Sequence, residues 1–152
     1  MRPLYEQLKS NHYSATKGRP GYLSSEGVFS EIGYSYQQML TIDHAYENTC
    51  AVRMSLALLK SNVEFDGRLT IKDGLYKGRK IETGAKLLAD QLYKASVFGK
   101  AEVYTDIRLA GQKLRNRRGV VYFHNIVGYG GGHIDLLEPV SDNMFQCNTS
   151  CY

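Results

Sequence analysis

The segment from Asn48 to Ser61 constrains the fold most, because it is apolar nearly all round. Ala51, Met54 and Leu58, and with them Val52, Leu56 and Leu59, recur at three- and four-residue spacing, the period of an α-helix. Asn48 or Thr49 offers a side-chain oxygen to the free N–H groups of the first turn, so the helix starts near Cys50 and runs to about Ser61. A helix without a polar face must be covered on every side, which predicts a central, buried position. The rest of the chain can provide that cover: it has 152 residues, 43% apolar and 22% charged, the composition of one packed domain spanning residues 1–152. A disordered or collagen-like chain is excluded. No stretch approaches the roughly 20 apolar residues of a membrane span, so no membrane insertion is expected.

Around this helix the pattern reads as α+β. Residues 1–45 are rich in Ser, Gly and Tyr, with a helix-like stretch at Pro3–Ser10 and turn chemistry at Gly18-Arg19-Pro20-Gly21. Tyr13, Tyr22, Phe29, Ile32, Tyr34 and Tyr36 need burial, which predicts an irregular arm laid over the core. A short strand is expected at Arg68–Ile71 and a second helix over roughly Glu82–Val97, stopped by Gly99. Val120–Ile126 is a strong β run; Gly128–Gly132 and a second strand, His133–Leu137, follow, suggesting an antiparallel hairpin.

Cys50 stands where the buried helix begins. The helix dipole and the free N–H groups of the first turn stabilise a thiolate there, and the same groups can hold an oxyanion on an attacked carbonyl. A lone cysteine is often only a small core hydrophobe. His133 argues for more, since it opens a strand directly after three glycines. A cysteine at a helix start with a histidine on a later strand is the arrangement of papain-like cysteine hydrolases, in which the imidazole takes the thiol proton and gives it to the leaving amine. A third polar group should orient that ring. Asp142, beyond the Pro139 turn, is preferred; Asp135, two residues along the same strand face, is the competitor and should reach the ring less well. His124 reads as structural, and His12 and His44 lie in turn-rich segments without a partner pattern. Arg53, one turn along from Cys50, is expected to tie the helix to a carboxylate. No spacing suggests a metal site, and hydrolysis by such a triad needs no cofactor.

The stretch Asn48-Thr49-Cys50-Ala51-Val52-Arg53-Met54-Ser55 strongly resembles the nucleophile helix of the type VI secretion amidase effectors, family 4, whose N-x-C-[AP]-x-R-M-S core opens that helix. The Gly-His pair of that family is matched by Gly132-His133. Its Ser-Asp pair, flanked by cysteines, is matched by Ser141-Asp142 at a shorter distance from the histidine, which keeps Asp135 as the alternative. The resemblance implies a papain-fold, NlpC-type amidase that cuts the peptide stems of Gram-negative peptidoglycan between D-glutamate and meso-diaminopimelate. It also implies delivery by the type VI secretion apparatus into the periplasm of a neighbouring cell, and a cognate periplasmic immunity protein as partner.

Other features agree with these expectations. The N-terminus, MRPLYEQLKSNHYS, lacks the apolar region of a secretory signal. Nineteen basic against fifteen acidic side chains give a net charge of +4, suited to an anionic wall. Of three cysteines, Cys147 and Cys151 are close enough to bridge in an oxidising compartment, which leaves Cys50 free. Two other readings compete: a thiol hydrolase or acyltransferase with another amide substrate, and a basic module that binds nucleic acid through Lys113, Arg115, Arg117 and Arg118. The latter leaves Cys50 without a purpose.

Overall fold

A computed structural model describes residues 2–128, 130–141 and 146–149. It is an α+β fold. The helices are α1 (Tyr5–Asn11), α2 (Ser25–Glu31), α3 (Tyr36–Ile42), α4 (Cys50–Lys60), α5 (Ala85–Tyr93) and α6 (Ile107–Leu114). Strands β1 (Leu69–Thr70) and β2 (Lys80–Ile81) form a small antiparallel pair, while β3 (Gly119–Ile126), β4 (Gly131–Glu138) and β5 (Gln146–Cys147) form an antiparallel sheet in the order β3-β4-β5.

The expected central helix is α4, and every residue from Cys50 to Leu59 is buried. Its apolar surface is divided between two cores. Ala51, Met54, Ala57 and Leu58 pack with Leu8 of α1, Leu88 and Leu92 of α5, and Ile134 and Leu136 of β4. Val52, Leu56 and Leu59 pack with Val28 and Phe29 of α2, Met39 of α3, and Ile71 and Ile81 beside the small sheet. One helix thus joins the two halves of the hydrophobic interior.

Side chains on a strand alternate in direction, so β4 has two functions. Ile134 and Leu136 enter the core against α4 and α5. His133 and Asp135 share the opposite face, and both are buried as well. Gly132 is required by packing: a Cβ there would lie 2.5 Å from the Tyr122 ring of β3. The small residue before the histidine therefore accommodates a neighbouring side chain of the protein itself.

In the N-terminal arm, α1 falls on the helix-like stretch expected at Pro3–Ser10. The rest of the arm differs from its expected irregular form: it holds two further seven-residue helices, α2 and α3, which start on serine caps, Ser24 accepting from Gly27 N and Ser35 from Gln38 N. The second expected helix is shorter than Glu82–Val97, beginning after Gly84 and ending at Tyr93. The basic run is interrupted by α6, capped by Asp106, which ends at Leu114. No helix among the described residues is long and apolar enough to cross a membrane.

Candidate active site

Cys50 is the first residue of α4, only 8% exposed, and a free thiol. Thr49 occupies the cap position without a side-chain cap bond. Asn48 acts instead: its Oδ1 accepts from Cys50 N at 3.3 Å, and its Nδ2 donates to Gly132 O at 3.5 Å. One side chain thus ties the helix start to the strand that carries His133.

Cys50 and His133, 83 residues apart in sequence, are brought to the same cleft. His133 Nε2 lies 3.3 Å from Asp135 Oδ2. The ring also stacks on Phe123, its cross-strand neighbour in β3, at 6.4 Å between centroids. Burial by itself disfavours the imidazolium. The contact with Asp135 and the attraction of the nearby Cys50 sulfur outweigh it and raise the His133 pKa to about 9.

Asp135 reaches the ring although it sits two residues along the same strand. Its two oxygens are anchored: Oδ1 accepts from Leu136 N at 2.7 Å and Oδ2 from Thr149 N at 2.9 Å. Burial opposes the carboxylate charge, but the His133 contact, His12 and the two backbone donors lower the Asp135 pKa below the usual range. The parallel direction of i and i+2 side chains is no obstacle once the shared oxygen is fixed between the ring and Thr149. Asp142, the preferred orienting residue from sequence, lies outside the described residues, as does Cys151.

Sequence reasoning missed His12. It follows α1, is 4% exposed, and its Nε2 lies 3.9 Å from Asp135 Oδ1. Nothing in the local pattern points to it, because its partners are distant in the chain. Arg53 also departs from expectation. Its guanidinium donates to Thr49 Oγ1 at 2.8 Å, to Ser14 O at 3.1 Å and to Leu23 O at 2.7 Å, so it ties α4 to carbonyls of the arm and not to a carboxylate.

Cys50 and His133 open into a cleft of about 330 Å³, shared with Ser25, Glu47, Asn48, Thr49 and Thr149. A cleft of similar size, about 320 Å³, lies at the other end of α4, but its Lys60 is engaged by Glu31 at 2.5 Å and by Tyr13 Oη at 2.8 Å. Tyr34, one of the arm aromatics expected to need burial, donates to Thr70 O and packs against the second core. Of the basic run, Arg117 pairs with Glu102 at 2.6 Å and Arg118 with Glu6 at 2.7 Å, so two of its four charges are engaged in surface ion pairs within the chain. Among the described residues no three His, Cys, Asp or Glu side chains gather as a metal site would need.

The family model of type VI secretion system (T6SS) amidase effector protein 4 matches residues 46–150, which include Cys50, His133 and Asp135. No curated protein matches the chain.

Proposed function

The chain belongs to the type VI secretion amidase effectors, family 4, and from that premise we propose a Cys-His-Asp mechanism in a papain-like, NlpC-type domain spanning residues 1–152. As a member it is an amidase of peptidoglycan and an effector of type VI secretion. Cys50 is the nucleophile and His133 the base and acid. The observation that carries this assignment is the one cleft that Cys50, at the start of α4, shares with His133, whose ring Nε2 lies 3.3 Å from Asp135 Oδ2.

The Cys50 sulfur, as thiolate beside the His133 imidazolium, attacks the amide carbonyl carbon. The oxyanion forms next to the α4 N-terminus, where the Cys50 N–H can exchange Asn48 Oδ1 for it. His133 donates its proton to the amine as the C–N bond breaks, leaving a thioester on Cys50. Water then gives a proton to His133 and its oxygen to the thioester carbonyl, and the thiolate departs. Asp135 holds the ring in place and balances its positive charge. Asp142 is the carboxylate that the family resemblance assigns to this task; the 3.3 Å contact favours Asp135.

The bond cut is the one between D-glutamate and meso-diaminopimelate, in the periplasm of the target cell, and a cognate immunity protein protects the producer. Digestion of purified muropeptides followed by mass spectrometry tests the bond. Loss of a fragment that begins with diaminopimelate supports it; a different amide cut would keep the amidase and overturn the bond, and a product joined to a second acceptor would favour an acyltransferase.

Cys147 and Cys151 form a disulfide in this reading. Such a bridge restrains the segment whose Thr149 N holds Asp135. Reduction of a protein shown by mass to be bridged should then lower activity, and equal rates with and without reductant would contradict a functional bridge.

A further inference from the structure

We infer that His12, supplied by the N-terminal arm, is a positioning residue of the amidase: it fixes the Asp135 carboxylate that in turn holds the His133 ring. The inference rests on the Cys50–His133 reading above. His12 lies outside the matched stretch 46–150, so neither the family match nor the sequence motifs assign it a role.

The geometry is specific. His12 Nδ1 lies 2.7 Å from Asn148 Nδ2. An amide nitrogen only donates, so Nδ1 is the acceptor and the ring proton resides on Nε2. That nitrogen faces Asp135 Oδ1 at 3.9 Å. The separation is too long for a direct hydrogen bond, yet within a buried site it is short enough for a strong attraction between an N–H dipole and a carboxylate. Asp135 is thus held from four directions: Leu136 N and His12 at one oxygen, Thr149 N and His133 at the other.

Neutrality of His12 is part of the device. Burial lowers its pKa to about 4, with Arg53 and His133 adding to the effect against the attraction of Asp135. A neutral ring steadies the carboxylate without competing for its charge, which is left for the His133 imidazolium. The arm fixes the other end as well. Ser14 Oγ donates to Asn148 O at 3.0 Å and Thr16 Oγ1 to Thr149 O at 2.8 Å, so the residues that hold His12 and Asp135 are clasped by the same segment.

The test measures muropeptide hydrolysis by His12→Phe, which fills the space without ring nitrogens, and His12→Gln, whose amide nitrogen can keep a donor near Asp135. Both are made alone and combined with Asp135→Asn. Phe should lower kcat about tenfold with KM within about twofold, Gln should restore most of the loss, and Phe should add little once Asp135 is Asn, since coupled neighbours are non-additive. Wild-type kcat in folded His12→Phe, equal losses for Phe and Gln, or losses that multiply in the double variant would each overturn the inference. If His12→Phe does not fold, Asn148→Ala, which removes only the donor to Nδ1, takes its place: a lowered kcat at constant KM is expected, and an unchanged kcat overturns it. Cys50→Ala runs in parallel, because turnover by that variant would overturn the amidase mechanism itself, a failure distinct from that of His12.

Discussion

The N-terminal arm and the β3–β4 hairpin each deliver one histidine to Asp135, and the fold drives the two rings in opposite directions. His12 comes from the end of α1, His133 from the start of β4, and both are almost fully buried. Burial alone pushes either ring towards its neutral form. It wins at His12, whose pKa falls to about 4, because Asp135 is 3.9 Å away and Arg53 and His133 add positive charge nearby. It loses at His133, where the closer contact with Asp135 and the attraction of the Cys50 sulfur lift the pKa to about 9. A single carboxylate thus sits between a structural imidazole and one able to carry a proton. Contact geometry, not depth of burial, separates the two roles.

Removing the shared carboxylate should break the comparison most severely. Asp135→Asn takes away the hydrogen bond that raises His133, so kcat/KM should fall about 10²-fold or more and the alkaline limb of its pH profile should move below about 9. Asp142→Asn should leave both nearly unchanged. The reverse pattern in a muropeptide assay would transfer the orienting role to Asp142.

A smaller effect is expected where the arm meets the catalytic helix. Arg53 is 2% exposed and donates to carbonyls of Ser14 and Leu23. Arg53→Met preserves much of the volume but removes the charge-assisted hydrogen bonds to Thr49, Ser14 and Leu23, which should cost about 2–4 kcal/mol in denaturant unfolding. A variant as stable as the wild type would show that the arm does not depend on this tie.

Acid titration should reveal the difference between the histidines most gently. His12 has a depressed pKa, so its unfolded form binds a proton between pH 6.5 and about 4 while the native form does not. Stability is therefore undiminished above pH 6.5 and declines as pH falls to about 4, by about 3 kcal/mol at most, a difference that His12→Gln should remove. His133 has the opposite sign: its raised pKa contributes stability in full below pH 6.5, and that contribution is lost as pH rises through about 9. Identical acid limbs for the wild type and His12→Gln would contradict the assignment of a neutral His12.

Much of the hairpin and of α4 was legible in the sequence, because local signals coincide there. The helical period of Ala51 to Leu59, the β run ending at Ile126 and the cysteine at a helix start all lie within short windows. The arm was not legible to the same degree. Its α2 and α3 are only seven residues long, too short for a clear period. The end of α5 was misplaced because the backbone turns extended at Lys94, directly after Tyr93 and well before Gly99. The orienting role proposed for Asp135 depends on Thr149 N, fourteen residues away, and the one inferred for His12 on Asn148, 136 residues away. No periodicity records such contacts; they exist only once β5 lies beside β4 and the arm closes over both.

The most direct measurement compares wild-type protein with a Cys50→Ala variant, shown by circular dichroism to be folded, on purified muropeptides analysed by mass spectrometry. The wild type should release a diaminopimelate-bearing fragment and Cys50→Ala none. Release of that fragment by the alanine variant would contradict the assignment of Cys50 as nucleophile, and with it the roles given to His133 and Asp135.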